Sequence, residues 1–254
     1  MNYYISDTHF GYKKIAEQSG FTDTDAYNEA VIRRINQRVA DGDTLFLLGG
    51  LSCYQQDPSE FIKRLNGRKI LITGNHDARW IKHRHVRKLF REIHPYLLVK
   101  DAGTKIFLCH YPMAEWDGTF KGYWHFYGHI HNEKGIGAER IMRYVTGAVN
   151  VSIQKIGEPK TAEELFAIRK REEEQMSKYC PIAQRPVLYL DCLECEEKIC
   201  KKKEAENKFP TQKKVNNSKL PVPVRCADAM AIKVAALANL SPAEAAKRLE
   251  ETGN

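Results

Sequence analysis

Short runs of aliphatic, aromatic and β-branched residues recur along the first 155 or so positions, each followed by turn residues and then by a stretch of helical spacing. The runs predict strands at residues 3–5, 45–48, 69–72, 96–99, 105–109, 125–127 and 143–149. Between them, residues 25–39 place Ala26, Ala30, Val31 and Ile35 on one helical face, and residues 58–65 and 80–93 read as further helices. That alternation argues an α/β fold. The pattern changes near Thr161, where Thr161-Ala162-Glu163-Glu164 has the spacing of a capping box and opens a charged helical run to about Lys178. Residues 201–223 are polar, lysine-rich and bounded by prolines, the composition of a linker. Beyond them, Ser241-Pro242-Ala243-Glu244 offers an N-cap, a first-turn proline and an acid within an alanine-rich segment, which predicts two short helices. The expected organisation is a domain at 1–158, a helix with a cysteine cluster at 159–200, a linker at 201–225 and a small helical segment at 226–254, with no internal repeat.

Composition narrows the class. Apolar residues make up 43% of the 254 and charged residues 28%, as in a soluble globular protein. No apolar run reaches the roughly 18 to 20 residues of a membrane span, and the start lacks the basic and apolar regions of a signal peptide, so a cytoplasmic protein with no membrane partner is expected. Seven cysteines, an odd number at uneven spacing, suit free thiols or metal ligands better than a disulfide framework. Cys180, Cys192, Cys195 and Cys200 form a cluster with one C-x2-C pair; it is compatible with a structural zinc or iron–sulfur site, with free thiols or with regulated disulfides. The net charge of +8 favours an anionic partner such as a phosphate ester, a nucleotide or nucleic acid.

Five segments place metal-ligand residue types in loops after predicted strands: Asp7-Thr8-His9, Gly49-Gly50-Leu51-Ser52, Gly74-Asn75-His76-Asp77, Cys109-His110-Tyr111-Pro112 and Gly128-His129-Ile130-His131. Loops beyond strand ends let side chains from distant parts of a chain converge, and the Asp-x-His and His-x-His spacings send both members to one side of an extended backbone. Each pair alone is commonplace; the set in this order points to a metal site.

These segments, with the run from Asp43 to Leu51, Leu65-Asn66-Gly67 and Asn150-Val151, resemble the calcineurin-like metallophosphoesterases, especially the small bacterial and phage members. The resemblance covers about 60% of the chain. It implies a four-layer sandwich of two face-to-face β-sheets flanked by helices, with a small cysteine-containing helical appendage after it in this chain. It also implies a two-metal site, one ion held by Asp7, His9 and His131 and the other by Asn75, His110 and His129. The implied activity is hydrolysis of a phosphomonoester or phosphodiester by metal-activated water, with His76 protonating the leaving oxygen and Asp77 orienting His76 or raising its basicity. Imidazole, carboxylate and amide donors suit manganese, iron, nickel or zinc better than calcium.

One position departs from the family pattern. An aspartate that bridges the two ions is expected where this chain has Gly50. Two dications roughly 4 Å apart repel by about 16 kcal/mol at an effective dielectric near 20, and a shared carboxylate offsets much of that. Without it, a weakly held second ion, a bridge of water or substrate phosphate, or a single ion is expected. An enzyme of reduced metal affinity, a silent relative that binds a nucleotide, nucleic acid or docking partner, and an engineered substitution in an active enzyme all fit. Asp43, ahead of a full strand, is expected to lie far away. Secondary features are the basic run from Arg79 to Arg91, read as a solvated helix face or a phosphate-steering surface, and the aromatic cluster of Trp116, Phe120, Tyr123, Trp124, Phe126 and Tyr127, read as core or as a stacking platform. His83, His85, His94 and His125 belong to no motif and are expected to be structural or superficial.

Overall fold

Alternation along the first strands sorts their side chains onto two faces. In the computed structural model, which describes residues 1–52, 57–132, 137–180 and 185–188, β1 (Asn2–Ile5), β2 (Thr44–Leu47), β3 (Arg68–Ile72) and β4 (Glu92–His94) form a wholly parallel sheet in that order. Parallel neighbours need long crossovers, and α1 (Lys13–Gln18), α2 (Thr24–Arg38), α3 (Ser59–Lys63) and α4 (Arg84–Arg87) lie in them. Tyr3, Ile5, Leu45, Leu47 and Leu71 pack with Ile15, Val31, Ile35, Ile62 and Val86 on the helical side.

A second four-stranded sheet runs β5 (Tyr96–Asp101), β6 (Thr104–Cys109), β7 (Trp124–Tyr127), β8 (Ala148–Asn150), with the first pair antiparallel and the rest parallel. Tyr4, Phe46, Leu48, Ile70 and Ile72, one residue out of phase with the helix-facing set, join Ile106, Leu108, Phe126 and Val149 in a core between the sheets. The outer face of the second sheet, Phe107, Tyr127 and Ala148, packs with Trp116 and with Met142 of α5 (Gly137–Met142). After β8 come α6 (Ile153–Ile156), α7 (Ala162–Met176) and the paired strands β9 (Ser177–Cys180) and β10 (Arg185–Leu188). The protein is thus α/β, with two sheets and flanking helices, compatible with the expected sandwich. Both sheets lie in one compact unit, Met1–Tyr179 with Pro186–Leu190. Among the described residues no helix is long and apolar enough to cross a membrane.

Local chemistry explains the best-defined elements. Asp23 caps α2, its carboxylate accepting from the Ala26 and Asp25 amides at 2.9 and 3.3 Å. The capping box of α7 is present: Glu164 accepts from the Thr161 amide at 2.8 Å and Thr161 Oγ1 from the Glu164 amide at 3.4 Å.

Two expectations fail. The helix expected over 80–93 is a 3-10 turn at Trp80–Lys82, then α4, then strand β4, because His83 is extended (φ −76°, ψ 122°) and Glu92–His94 pairs in parallel with β3. Trp80, Val86 and Phe90 are buried, so the apolar spacing reflects burial without a continuous helix. The strand expected over 143–149 starts only at Ala148, since the buried Arg169 guanidinium of α7 donates to the Arg143 and Val145 carbonyls at 2.8 and 3.0 Å, taking acceptors that a strand would need. Cys53, Cys192, Cys195, Cys200, the linker and the 226–254 segment lie outside the described residues, and Cys180 is described only as part of β9.

Candidate metal centre

Five non-glycine residues have positive φ among those described, and four of them are Asp7 (57°), His9 (42°), His129 (71°) and His131 (49°). Such backbone costs on the order of 1–3 kcal/mol per residue and persists only where surrounding structure holds it. The first two residues follow β1 and the others follow β7, so the two loops meet beyond the ends of neighbouring sheets. There Asp7, His9 and His131 offer one ligand atom each, all within 4.8 Å of one another. Asp7 Oδ1 lies 3.7 Å from His9 Nε2 and 3.9 Å from His131 Nε2.

Polar atoms this deep ordinarily have partners. Asp7 Oδ1 and both ring nitrogens of His9 are buried with no hydrogen bond. A carboxylate oxygen and imidazole nitrogens, desolvated and converging, fit a first-row transition-metal cation. Burial alone would raise the Asp7 carboxyl, but the His9 imidazole and the charge that His110 and His131 take on when protonated hold it at about 2, so it is the anion at neutral pH.

The loop is buttressed from several elements. Asp7 Oδ2 accepts from Ser6 Oγ at 2.7 Å and from the His129 amide at 2.9 Å, joining the two strained loops. Tyr27 of α2 donates its hydroxyl to Thr8 O at 2.8 Å, and Gln154 of α6 donates from Nε2 to Asp7 O at 2.9 Å. Asn150 Nδ2 donates to His131 O at 2.7 Å. Glycine is required at 128, where a Cβ would lie 2.4 Å from Asp7 Oδ2 and 2.3 Å from Ser6 Oγ.

The other expected ligands gather beside this triad. His110 is buried, and its Nδ1 donates to Leu48 O at 2.7 Å, which leaves the Nε2 lone pair facing Asn75 Oδ1 at 3.0 Å. Two acceptors presented to each other in this way suit a shared cation. The His129 ring lies 5.2 Å from that of His110, centroid to centroid. His76 is 5.2 Å from His9 by the same measure; burial first, then the neighbouring His9 and His110, lowers its pKa to about 4, so the free site holds it neutral. Asp77 is wholly buried and burial raises it to about 7. Its Oδ2 accepts from the Gly74 amide at 2.8 Å and its Oδ1 from the Leu51 amide at 3.3 Å, so it ties the loop after β3 to the loop after β2.

Gly50 adopts φ +66°, and a Cβ built there would lie 2.5 Å from Asp7 Oδ1 and 3.1 Å from Asp7 Cα. The Asp7 carboxylate therefore lies over Gly50, and an aspartate at 50 would displace it. Asp43, bonded to the N-terminal amine and the Ala40 amide, precedes β2 while Gly50 follows it, at opposite ends of the strand.

Tyr27, Asn28 and Gln154 escaped the reading of the sequence as site residues. Their signal was available: Tyr27 and Asn28 are polar groups on the buried face of α2, where Asn28 Oδ1 accepts from the Gly11 amide at 2.9 Å. His125 is a buried structural residue, donating from Nδ1 to Phe107 O at 3.1 Å and accepting at Nε2 from the Met113 amide at 3.3 Å. His83, His85 and His94 lie away from the strained loops, at or near α4 and in β4, and His94 and His85 pair with Glu92 and Asp57. Of the aromatic cluster, Trp116, Phe126 and Tyr127 are core, whereas Phe120 is 91% exposed.

No protein-family model and no curated protein matches the chain. Among solved structures it is similar to AQ665 from Aquifex aeolicus, a protein of unknown function, at 24% identity and a TM-score of 0.52, over 66% of this chain and 98% of that one. That likeness speaks for the fold alone. Another match is Yfce, a phosphoesterase from E. coli, at 16% identity and a TM-score of 0.34, over 63% of this chain and 81% of that one; the likeness is too slight to carry an activity across.

Proposed function

We propose that the protein is a metal-dependent phosphoesterase of the calcineurin-like type, built on the four-layer sandwich of that family, in which Asp7, His9 and His131 hold the principal ion. The observation that carries this reading is the convergence of three buried, unpartnered donor atoms of Asp7 and His9 with His131 in loops of strained backbone. Asn75, His110 and His129 would hold a second ion, more weakly because Gly50 supplies no bridge. A bound dication supplies Lewis acidity toward the phosphate and toward water.

The chain's own groups do the rest. His129 and Asn150 fix the loops so that Asp7 and His131 keep their orientation. His76, neutral in the free site, gains proton affinity beside an anionic phosphate and is then able to deliver a proton to the leaving oxygen. His76→Ala is expected to slow esters with poor leaving groups by about 100-fold or more, and good ones far less; equal losses on both would refute the acid role. A panel of phosphomonoesters and phosphodiesters assayed with excess Mn²⁺ tests the activity itself. Turnover that Asp7→Asn abolishes supports the enzyme. Metal binding without turnover of any ester supports instead a silent phosphate-binding relative, a reading that Gly50 also fits.

A further inference from the structure

Among the described residues, two cavities are bordered by His131 of the triad, and their charges differ. One, of about 230 Å³, holds Arg143, Lys155 and Arg169, but each is matched by a carboxylate: Glu139 at 2.8 Å, Glu172 at 2.9 Å and Glu173 at 2.9 Å. The other, of about 570 Å³, runs between α1, α2 and α6 and is lined by Lys14, Gln18, Tyr12, Tyr27, Arg34 and Gln154 among others, with no carboxylate among the described residues. Lys14 and Arg34 make no ion pair among the described residues, while nearby acids are engaged elsewhere, Glu17 with Lys13 and Glu29 with Arg64. Two unmatched cations on facing helices favour an anion.

This groove shares a wall with the triad. Tyr27 and Gln154 line it and also hold the carbonyls of Thr8 and Asp7, and the Tyr12 ring lies 6.0 Å from that of His9. Its volume falls in the usual range for a small-molecule site, roughly 300–1,000 Å³. The Tyr12 ring and the exposed Gln18 amide can meet a base or sugar while Lys14 and Arg34 meet charge.

We infer that the groove is an anion subsite, in which Lys14 and Arg34 bind a second phosphate of a nucleotide-sized substrate whose first phosphate sits at the triad. This rests on reading the triad as a phosphoester site. The test uses the full-length protein and a matched pair of probes, adenosine 3′,5′-bisphosphate and adenosine 5′-monophosphate, titrated calorimetrically in EDTA and again with Mn²⁺. The bisphosphate is expected to bind at least about tenfold tighter, roughly 1.4 kcal/mol, with the advantage shrinking as salt rises. In the Lys14→Gln, Arg34→Gln double variant the ratio is expected to fall toward one, and Lys14→Arg with Arg34→Lys to keep most of it. Equal affinity for the two probes in the natural chain, or an advantage that survives the double Gln variant, overturns the subsite. The two readings fail separately: bisphosphate preference in EDTA that needs Lys14 and Arg34, with no ester hydrolysed under Mn²⁺, removes the activity and keeps the subsite, whereas hydrolysis with equal probe affinities does the reverse.

Discussion

Asp7 Oδ1 sits 2.5 Å from the point where a side chain at Gly50 would begin, so the missing bridge and the geometry of the triad are one fact. Putting an aspartate there must push Asp7 aside and hold a non-glycine residue in left-handed backbone. Gly50→Asp is therefore expected to lower the stability of the metal-free protein by about 1–2 kcal/mol, read by denaturant unfolding, and to raise Mn²⁺ content from one toward two per chain. Unchanged stoichiometry would show that the second position lacks more than a bridge. Asp77 makes a second residue-scale case. Both its oxygens serve backbone amides, so Asp77→Asn turns an amide NH₂ toward one of them and is expected to cost about 1–3 kcal/mol by the same measurement. Ligand identity was legible in the sequence because Asp7-x-His9 and His129-x-His131 carry it in residue type and spacing. The positive φ of these residues was not, since nothing in a histidine's side chain announces left-handed backbone.

Elements were legible where one face is apolar and a cap is present, as in α2 and α7. They were not where a long-range contact decides. β4 is three residues, Glu92-Ile93-His94, whose strand character comes from pairing with β3 and whose side chains carry no alternation strong enough to announce it. The shortened β8 depends on Arg169, 26 and 24 positions from the carbonyls it binds. Arg169→Met would remove the guanidinium donor from the Arg143 carbonyl and leave Val145 O and Glu173 only the longer 3.3 Å bonds from the Ala148 and Gly147 amides. It is expected to cost roughly 1–3 kcal/mol and to speed hydrogen exchange in residues 143–149; protection equal to that of the natural chain would show that the loop holds itself.

For the whole molecule, acid sensitivity follows from His125. Burial lowers its pKa to about 4, below the ordinary 6.5, and is only partly offset by the Phe107 carbonyl and, for the protonated ring, the Tyr111 carbonyl, so the unfolded chain takes up a proton first. Its contribution is full above about pH 6.5 and is lost as pH falls toward 4, by up to about 3 kcal/mol. Asp77, raised to about 7, acts with the opposite sign, its contribution being lost as pH rises toward 7. The His125 part is isolated by comparing unfolding free energies of the natural chain and His125→Gln between pH 4 and 7; a pH slope that the variant shares in full would contradict it. Whether Asp7, His9 and His131 grip one transition-metal cation is read from Mn²⁺ binding to EDTA-stripped full-length protein, followed by metal content and thermal melting. About one ion per chain is expected, with a melting temperature raised by saturating Mn²⁺, equivalent to roughly 2.7 kcal/mol at 100 times Kd, and both effects lost in Asp7→Asn. No bound ion, or an equal response from Asp7→Asn, would contradict a metal site at the triad.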